Sequence, residues 1–219
     1  MAGGTTLGAI LTAVAGALRE GRDELNRLDG IAGDGDLGLT AGRAADALDA
    51  VAPGLSSADW AGAAKAIGMA LATKAPSTGG TLIAFACLAA AKTEVPAGSG
   101  DVAIAALMVG AARDEVARRG KVAPGDRTIL DAIDPAVRAL EAAATSVAAP
   151  RDAAAAAARA ADEGARATAG MEATTGRAGW LADRARGHED AGARLAAIVF
   201  AAAAEAVDRG THEAAATNR

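Results

Sequence analysis

Alanine carries most of the hydrophobicity of this chain. Apolar residues occupy 52% of its 219 positions, yet aromatic residues account for 2% and tyrosine is absent. Alanine is the strongest helix former. A core built on it holds together only where helices pack closely and branched aliphatic side chains fill the seams. The sequence therefore predicts an all-α protein, in one domain over 1–210 with a frayed tail at 211–219.

Helical spacing begins at Leu7, Ile10, Leu11, Val14 and Leu18, behind a capping Thr5 or Thr6. A loop is expected from about Gly21 to Gly38. Further helices are expected at 39–51, 57–74, 80–92, 101–119, 128–147, 151–170 and 190–209, which makes eight. Pro53, Pro76, Pro96, Pro124 and Pro150 fall between them. Pro135 falls inside the sixth, which it would open if that helix began only at Asp134. Connections this short favour antiparallel neighbours, so alternate connections share one end of a bundle. Four glycine-rich segments then surround one mouth.

A net charge of −5 argues against broad contact with nucleic acid or an anionic membrane. Cys87 is the only cysteine and sits in an apolar run, which excludes a disulfide within the chain and fits a buried small hydrophobe. Charged residues interrupt the alanine-rich runs too often for a membrane span, and residues 1–6 lack a signal-peptide pattern, so a cytoplasmic location is expected.

Chemistry concentrates in the first of the four segments. Gly33-Asp34-Gly35-Asp36-Leu37-Gly38 follows Asp29, giving three carboxylates within eight residues. In an extended stretch Asp34 and Asp36 point the same way, and the glycines permit a tight bend. Hard cations such as Mg2+ take oxygen ligands, commonly one or two carboxylates together with substrate phosphates. The expectation is a metal site that holds a phosphorylated ligand. The second segment, Ala75-Pro76-Ser77-Thr78-Gly79-Gly80-Thr81, leads into an apolar helix whose first N–H groups suit phosphate, although it is not a Walker A loop. The third, Gly120 to Asp131, contains Gly125-Asp126-Arg127-Thr128 and reads as a turn with a charged helix entry. The fourth runs from Thr175 to Gly192. In it Arg177 can act as a phosphate fork, and His188 lacks an evident orienting carboxylate.

In this order the segments resemble the L subunit of dihydroxyacetone kinase, and the resemblance covers nearly the whole chain. It implies an antiparallel eight-helix barrel with ADP or ATP at one mouth. Asp29, Asp34 and Asp36 would hold two Mg2+ ions bridging to the phosphates. Leu37, Gly38, Leu39 and Thr40 would line the nucleotide pocket with Thr78, Gly79, Gly120, Ile129, Arg177, Asp190, Ala191 and Gly192. Three positions depart from the family pattern. Leu37 stands where histidine is usual, Thr78-Gly79-Gly80-Thr81 where Ser-Gly is usual, and Ala191 where proline is usual.

The resemblance further implies a partner, a separate K subunit holding dihydroxyacetone or a four-carbon ketose such as erythrulose through a histidine. The phosphoryl donor would be exchanging ATP, or a phosphotransferase-system protein acting on resident ADP. Two alternatives remain at this stage: an ADP-bound regulator that signals to a transcription factor, and a helical bundle without a ligand.

Overall fold

The computed structural model describes residues 7–55, 60–172 and 182–217. Its helices are α1 (Leu7–Glu20), α2 (Arg22–Ala32), α3 (Leu37–Val51), α4 (Trp60–Lys74), α5 (Thr78–Ala90), α6 (Asp101–Gly120), α7 (Leu130–Thr145), α8 (Pro150–Ala167), the single turn α9 (Ala182–Ala185) and α10 (Ala191–Thr217). There is no strand among the described residues. No helix there is long and apolar enough to cross a membrane.

Eight of these helices close a ring. Helix α1 packs on α3, α3 on α4, and so on in chain order through α8; α8 then packs on α10, and α10 returns to α1. Cross-contacts fix the antiparallel sense. Leu7 at the start of α1 meets Leu55, just past α3. Arg19 at the other end of α1 bonds Asp46 and Asp49 of α3, each at 2.7 Å. Arg194 near the start of α10 reaches Asp162 late in α8 at 2.7 Å, while Arg151 at the start of α8 pairs with Asp208. The C-terminal ends of α1, α4, α6 and α8 therefore lie with the N-terminal ends of α3, α5, α7 and α10. This is the mouth expected from the sequence, and α2 and α9 pack against each other beside it.

Alanine decides how close the seams become. The α6–α7–α8–α10 seam buries Ala132, Ala136, Ala157, Ala161, Ala165 and Ala193 almost completely, with Leu140 and Phe200 filling the gaps. The α1–α3–α10 seam is richer in branched side chains, with Val14, Leu18 and Leu48, and Leu25 of α2 packs against it. Cys87 packs at the α3–α4–α5 seam, where burial pushes its thiol up to about 11.

Two boundaries differ from the sequence expectation. Residues 22–32 form a helix rather than a loop. Leu25 and Leu28 are buried one turn apart, Asp23 and Glu24 suit the helix start, and Arg27 pairs with Glu24. Gly21 itself takes a helical conformation (φ −76, ψ −2) ahead of α2 and so does not open a loop there. The last helix continues to Thr217, past the boundary expected near 210.

Pro135 lies inside α7, which begins at Leu130, close to the expected 128 and not at Asp134. Proline offers no N–H to the carbonyl four residues earlier, here Asp131 O. That oxygen faces α8 at Gly164, where a Cβ would sit 2.1 Å from it. A missing donor in one helix and a missing side chain in the next thus meet at one point. Gly164→Ala should lower stability by about 1–3 kcal/mol, the usual cost of overpacking, despite alanine's better helix propensity. Thermal or urea unfolding of the variant reads this directly, and an unchanged midpoint would show that α7 and α8 can separate without cost.

Candidate functional site

The three carboxylates come from two kinds of backbone. Asp29 belongs to the last turn of α2, whereas Asp34 and Asp36 sit in the short loop from Gly33 to α3. One oxygen of each lies within 4.8 Å of the others. Asp29 is half-buried, and the two loop carboxylates are exposed. The loop bends so tightly because of its glycines. Gly35 adopts φ 75 against Gly30, and a Cβ on Gly33 would lie 2.2 Å from Asp29 Oδ1.

Helix α3 is capped from outside its own sequence. Asp36 occupies the N-cap position but makes no side-chain capping bond. Instead Asp29 Oδ2 accepts from the N–H groups of Asp36 (3.0 Å) and Leu37 (3.2 Å). Asn26 Oδ1, one turn earlier on α2, accepts from Gly38 N at 2.7 Å. The first amides of α3 are thus spent on α2. Asp29 is locked in place, and the Asp36 carboxylate is relieved of the capping task an N-cap aspartate usually performs. Three hard oxygen donors, held this close by a tight glycine loop, fit a divalent cation of the Mg2+ type.

Of the pocket residues expected after Asp36, Gly38 and Thr40 are buried. Gly38 faces α2, where a Cβ would lie 2.1 Å from Arg22 O. Leu37 packs into the α1–α3–α10 seam and offers the mouth no polar group. Leu39 is 43% exposed.

At the next corner Ser77 caps α5 by accepting from Gly80 N at 2.9 Å, with Thr78 and Gly79 exposed beside it. Gly80 is required by Ala75 O, which a Cβ would approach to 2.1 Å, but around Gly79 there is nothing within 4 Å. Gly120 ends α6 while its successor Lys121 takes the left-handed conformation (φ 53), so the turn does not require glycine at 120. Gly79 leaves room at the mouth for close approach to the backbone, whereas a Cβ on Gly120 would meet Val122 Cγ2 at 3.2 Å.

Ile129 bridges the α5–α6–α7 and α6–α7–α10 seams, and a Cβ on Gly192 would lie 3.3 Å from it. Gly120, Ile129 and Gly192 therefore share one wall of the mouth. Asp190 caps α10 by accepting from Ala193 N at 2.8 Å, and its own N–H donates to Thr168 Oγ1 at 2.8 Å. Ala191 is buried. Arg177 lies outside the described residues.

Asn26 is an addition that the sequence does not announce; Arg127 and Asp131 belong to the third segment, but their burial and bonding are not evident from it. Arg127 reads there as a charged entry, yet it is 3% exposed and donates to the carbonyls of Thr168, Ala185 and His188. Asp131, 4% exposed, accepts from Gly125 N and from Thr128 N, the latter at 2.7 Å, and so shapes the turn carrying Arg127. The local signal for it is Asp131 placed three residues after Thr128, a spacing suited to such a bond.

Burial pushes the Asp190 carboxyl up from 3.8 to about 6; nearby Asp131 raises it too, while the Ala193 N–H and the Arg127 charge oppose the rise. A carboxyl that keeps its proton longer when folded loses stability as it ionises. The folded state is therefore weakened as pH rises from about 4 to about 6. Asp190→Asn keeps an acceptor for Ala193 N and cannot ionise. Its melting temperature relative to the unsubstituted protein should climb across that interval, by roughly 2–4 °C per kcal/mol, and level off above it. A difference that stays flat with pH would contradict the assignment.

A DAK2 domain model matches residues 31–205. The chain is 37% identical over 213 residues to a D-erythrulose kinase of Mycolicibacterium smegmatis, an alignment covering 96% of this chain and 37% of that protein. It is 29% identical over 185 residues to the ADP-binding subunit DhaL of a PEP-dependent dihydroxyacetone kinase of Listeria innocua, covering 84% of this chain and 86% of that subunit. The solved dihydroxyacetone kinase of C. freundii, in complex with AMP-PNP and Mg2+, superposes with a TM-score of 0.70 at 27% identity, over 91% of this chain and 33% of that one. The chain spans about a third of the length of the larger kinases it matches. Sequence, fold and mouth agree, and the chain belongs to the DAK2 domain family, as a domain of the DhaL type.

Proposed function

We propose that this domain binds ADP or ATP at the mouth of the ring together with two Mg2+ ions, and delivers a phosphoryl group to dihydroxyacetone or a related short ketose held on a sugar-binding unit. The observation that carries the reading is the triangle of Asp29, Asp34 and Asp36 oxygens within 4.8 Å. Asp29 is preset by its bonds to α3, and Asp34 and Asp36 complete the donor set from the loop. When bound there, Mg2+ neutralises phosphate charge that the carboxylates alone would repel. The chain's own residues bind and orient. Gly79 admits the nucleotide closely, Gly120, Ile129 and Gly192 wall it, and Arg177 is assigned to the phosphates.

Among the described residues no group suited to holding the ketose accompanies this site, so the sugar is assigned to another unit. That unit is a separate K subunit, as the subunit status of the Listeria relative supports, or a further domain of one polypeptide, as the length of the erythrulose kinase supports. The ketose has three or four carbons according to that unit. The donor is ATP or a phosphotransferase-system protein, the PEP-dependent Listeria system being a precedent for the second.

Calorimetric titration of ADP into metal-stripped protein, with and without Mg2+, tests the reading. Binding should require Mg2+ and vanish in the Asp34→Ala/Asp36→Ala double variant. Gly79→Ala should keep the melting temperature, because nothing lies within 4 Å of the new methyl, yet weaken Mg-ADP binding by roughly tenfold, or 1.4 kcal/mol. Affinity indifferent to Mg2+, or equal in the double variant, would sink the proposal.

A further inference from the structure

We infer that Arg127 is a positioning residue for the nucleotide: its buried guanidinium latches the connection between α8 and α10 onto the α6–α7 turn and so fixes one wall of the mouth. The inference rests on the nucleotide-binding reading above. Three bonds define the latch. Nε donates to Thr168 O at 3.2 Å, and one terminal nitrogen donates to Ala185 O at 2.9 Å and His188 O at 2.7 Å. These acceptors lie just past α8, at the end of α9 and in the turn before α10. One side chain thereby gathers points 41 to 61 residues downstream of itself.

Two features go beyond what a loop staple requires. The first is the charge. A neutral amide could bond carbonyls without the desolvation cost of a guanidinium that is 3% exposed. Its positive charge acts on Asp190, the residue that caps α10 at the wall. The second is the backbone. Arg127 takes φ 61, a conformation few non-glycine residues adopt, and the Asp131 bonds to the amides of Gly125 and Thr128 hold the turn around it. The latch also reaches the metal side of the mouth, since α9, whose last carbonyl it holds, packs against α2, the helix that carries Asn26 and Asp29.

The latch positions rather than reacts, so its test needs readouts that a plain loss of stability would not move. Arg127→Met and Arg127→Lys are compared with the unsubstituted protein, all confirmed folded by circular dichroism, in Mg-ADP titration and in amide exchange without nucleotide. Exchange should accelerate at Gly187, His188 and Asp190, whose N–H groups bond Ala169 O, Ala185 O and Thr168 Oγ1, but not along α4 and α5. Mg-ADP affinity should fall roughly tenfold or more in Arg127→Met, with Arg127→Lys between. If Arg127→Met does not fold, Arg127→Lys decides alone by the same two readouts. Folded variants that bind Mg-ADP within about twofold of the unsubstituted protein would overturn the inference and leave Arg127 a staple. Absence of Mg-ADP binding in the unsubstituted protein would instead overturn the nucleotide reading, and the latch with it.

Discussion

The carboxylate of Asp29 ties the fold to the site. By accepting the amides of Asp36 and Leu37 it closes the N-terminus of α3 from α2, with Asn26 taking Gly38 N alongside. An aspartate at an N-cap normally spends its oxygen on its own helix. Here a neighbouring helix does that work, and the loop carboxylates remain grouped within 4.8 Å of Asp29. Without α2 in place the Gly33–Asp36 loop would lose this anchor, and three like charges would separate into solvent.

Helix α2 docks through Leu25 and Leu28, and what holds the ring together is the closeness that small side chains permit. The ring closes because alanine lines its seams and because glycine appears where one helix meets another's backbone. Gly38 fits against Arg22 O, and Gly164 against the Asp131 carbonyl that Pro135 cannot serve. Gly79 differs, since nothing lies within 4 Å of its missing side chain. Glycines forced by packing and glycines left open at a mouth look the same in sequence. The structure separates them, and the second kind marks where a ligand can approach.

The ring of eight long helices is legible in the sequence because alanine patterning carries helix and prolines mark most boundaries. The aspartate cluster is legible too, since three carboxylates at glycine spacing have few other uses. Helix α2 is not: Gly21 and Gly30 mask a helix with only Leu25 and Leu28 buried on it. Asn26 and Arg127 are hidden for another reason. Their partners lie 12 and up to 61 residues away, and a charged residue in a turn reads as solvated until the fold brings carbonyls around it. Pro135 leaves the start of α7 open in the sequence between 128 and 134, because a proline inside a helix is costly; the helix does begin ahead of it, and its Asp131 carbonyl faces Gly164 of α8.

Crystals grown with ADP and Mn2+ in place of Mg2+, measured at the manganese absorption edge, test the metal-bridged site most directly. Two anomalous peaks should appear within coordination distance of the Asp29, Asp34 and Asp36 carboxylates, with the diphosphate on their far side and the base toward Gly120 and Ile129. Nucleotide bound elsewhere, or bound at the mouth with no metal against the three aspartates, would contradict it.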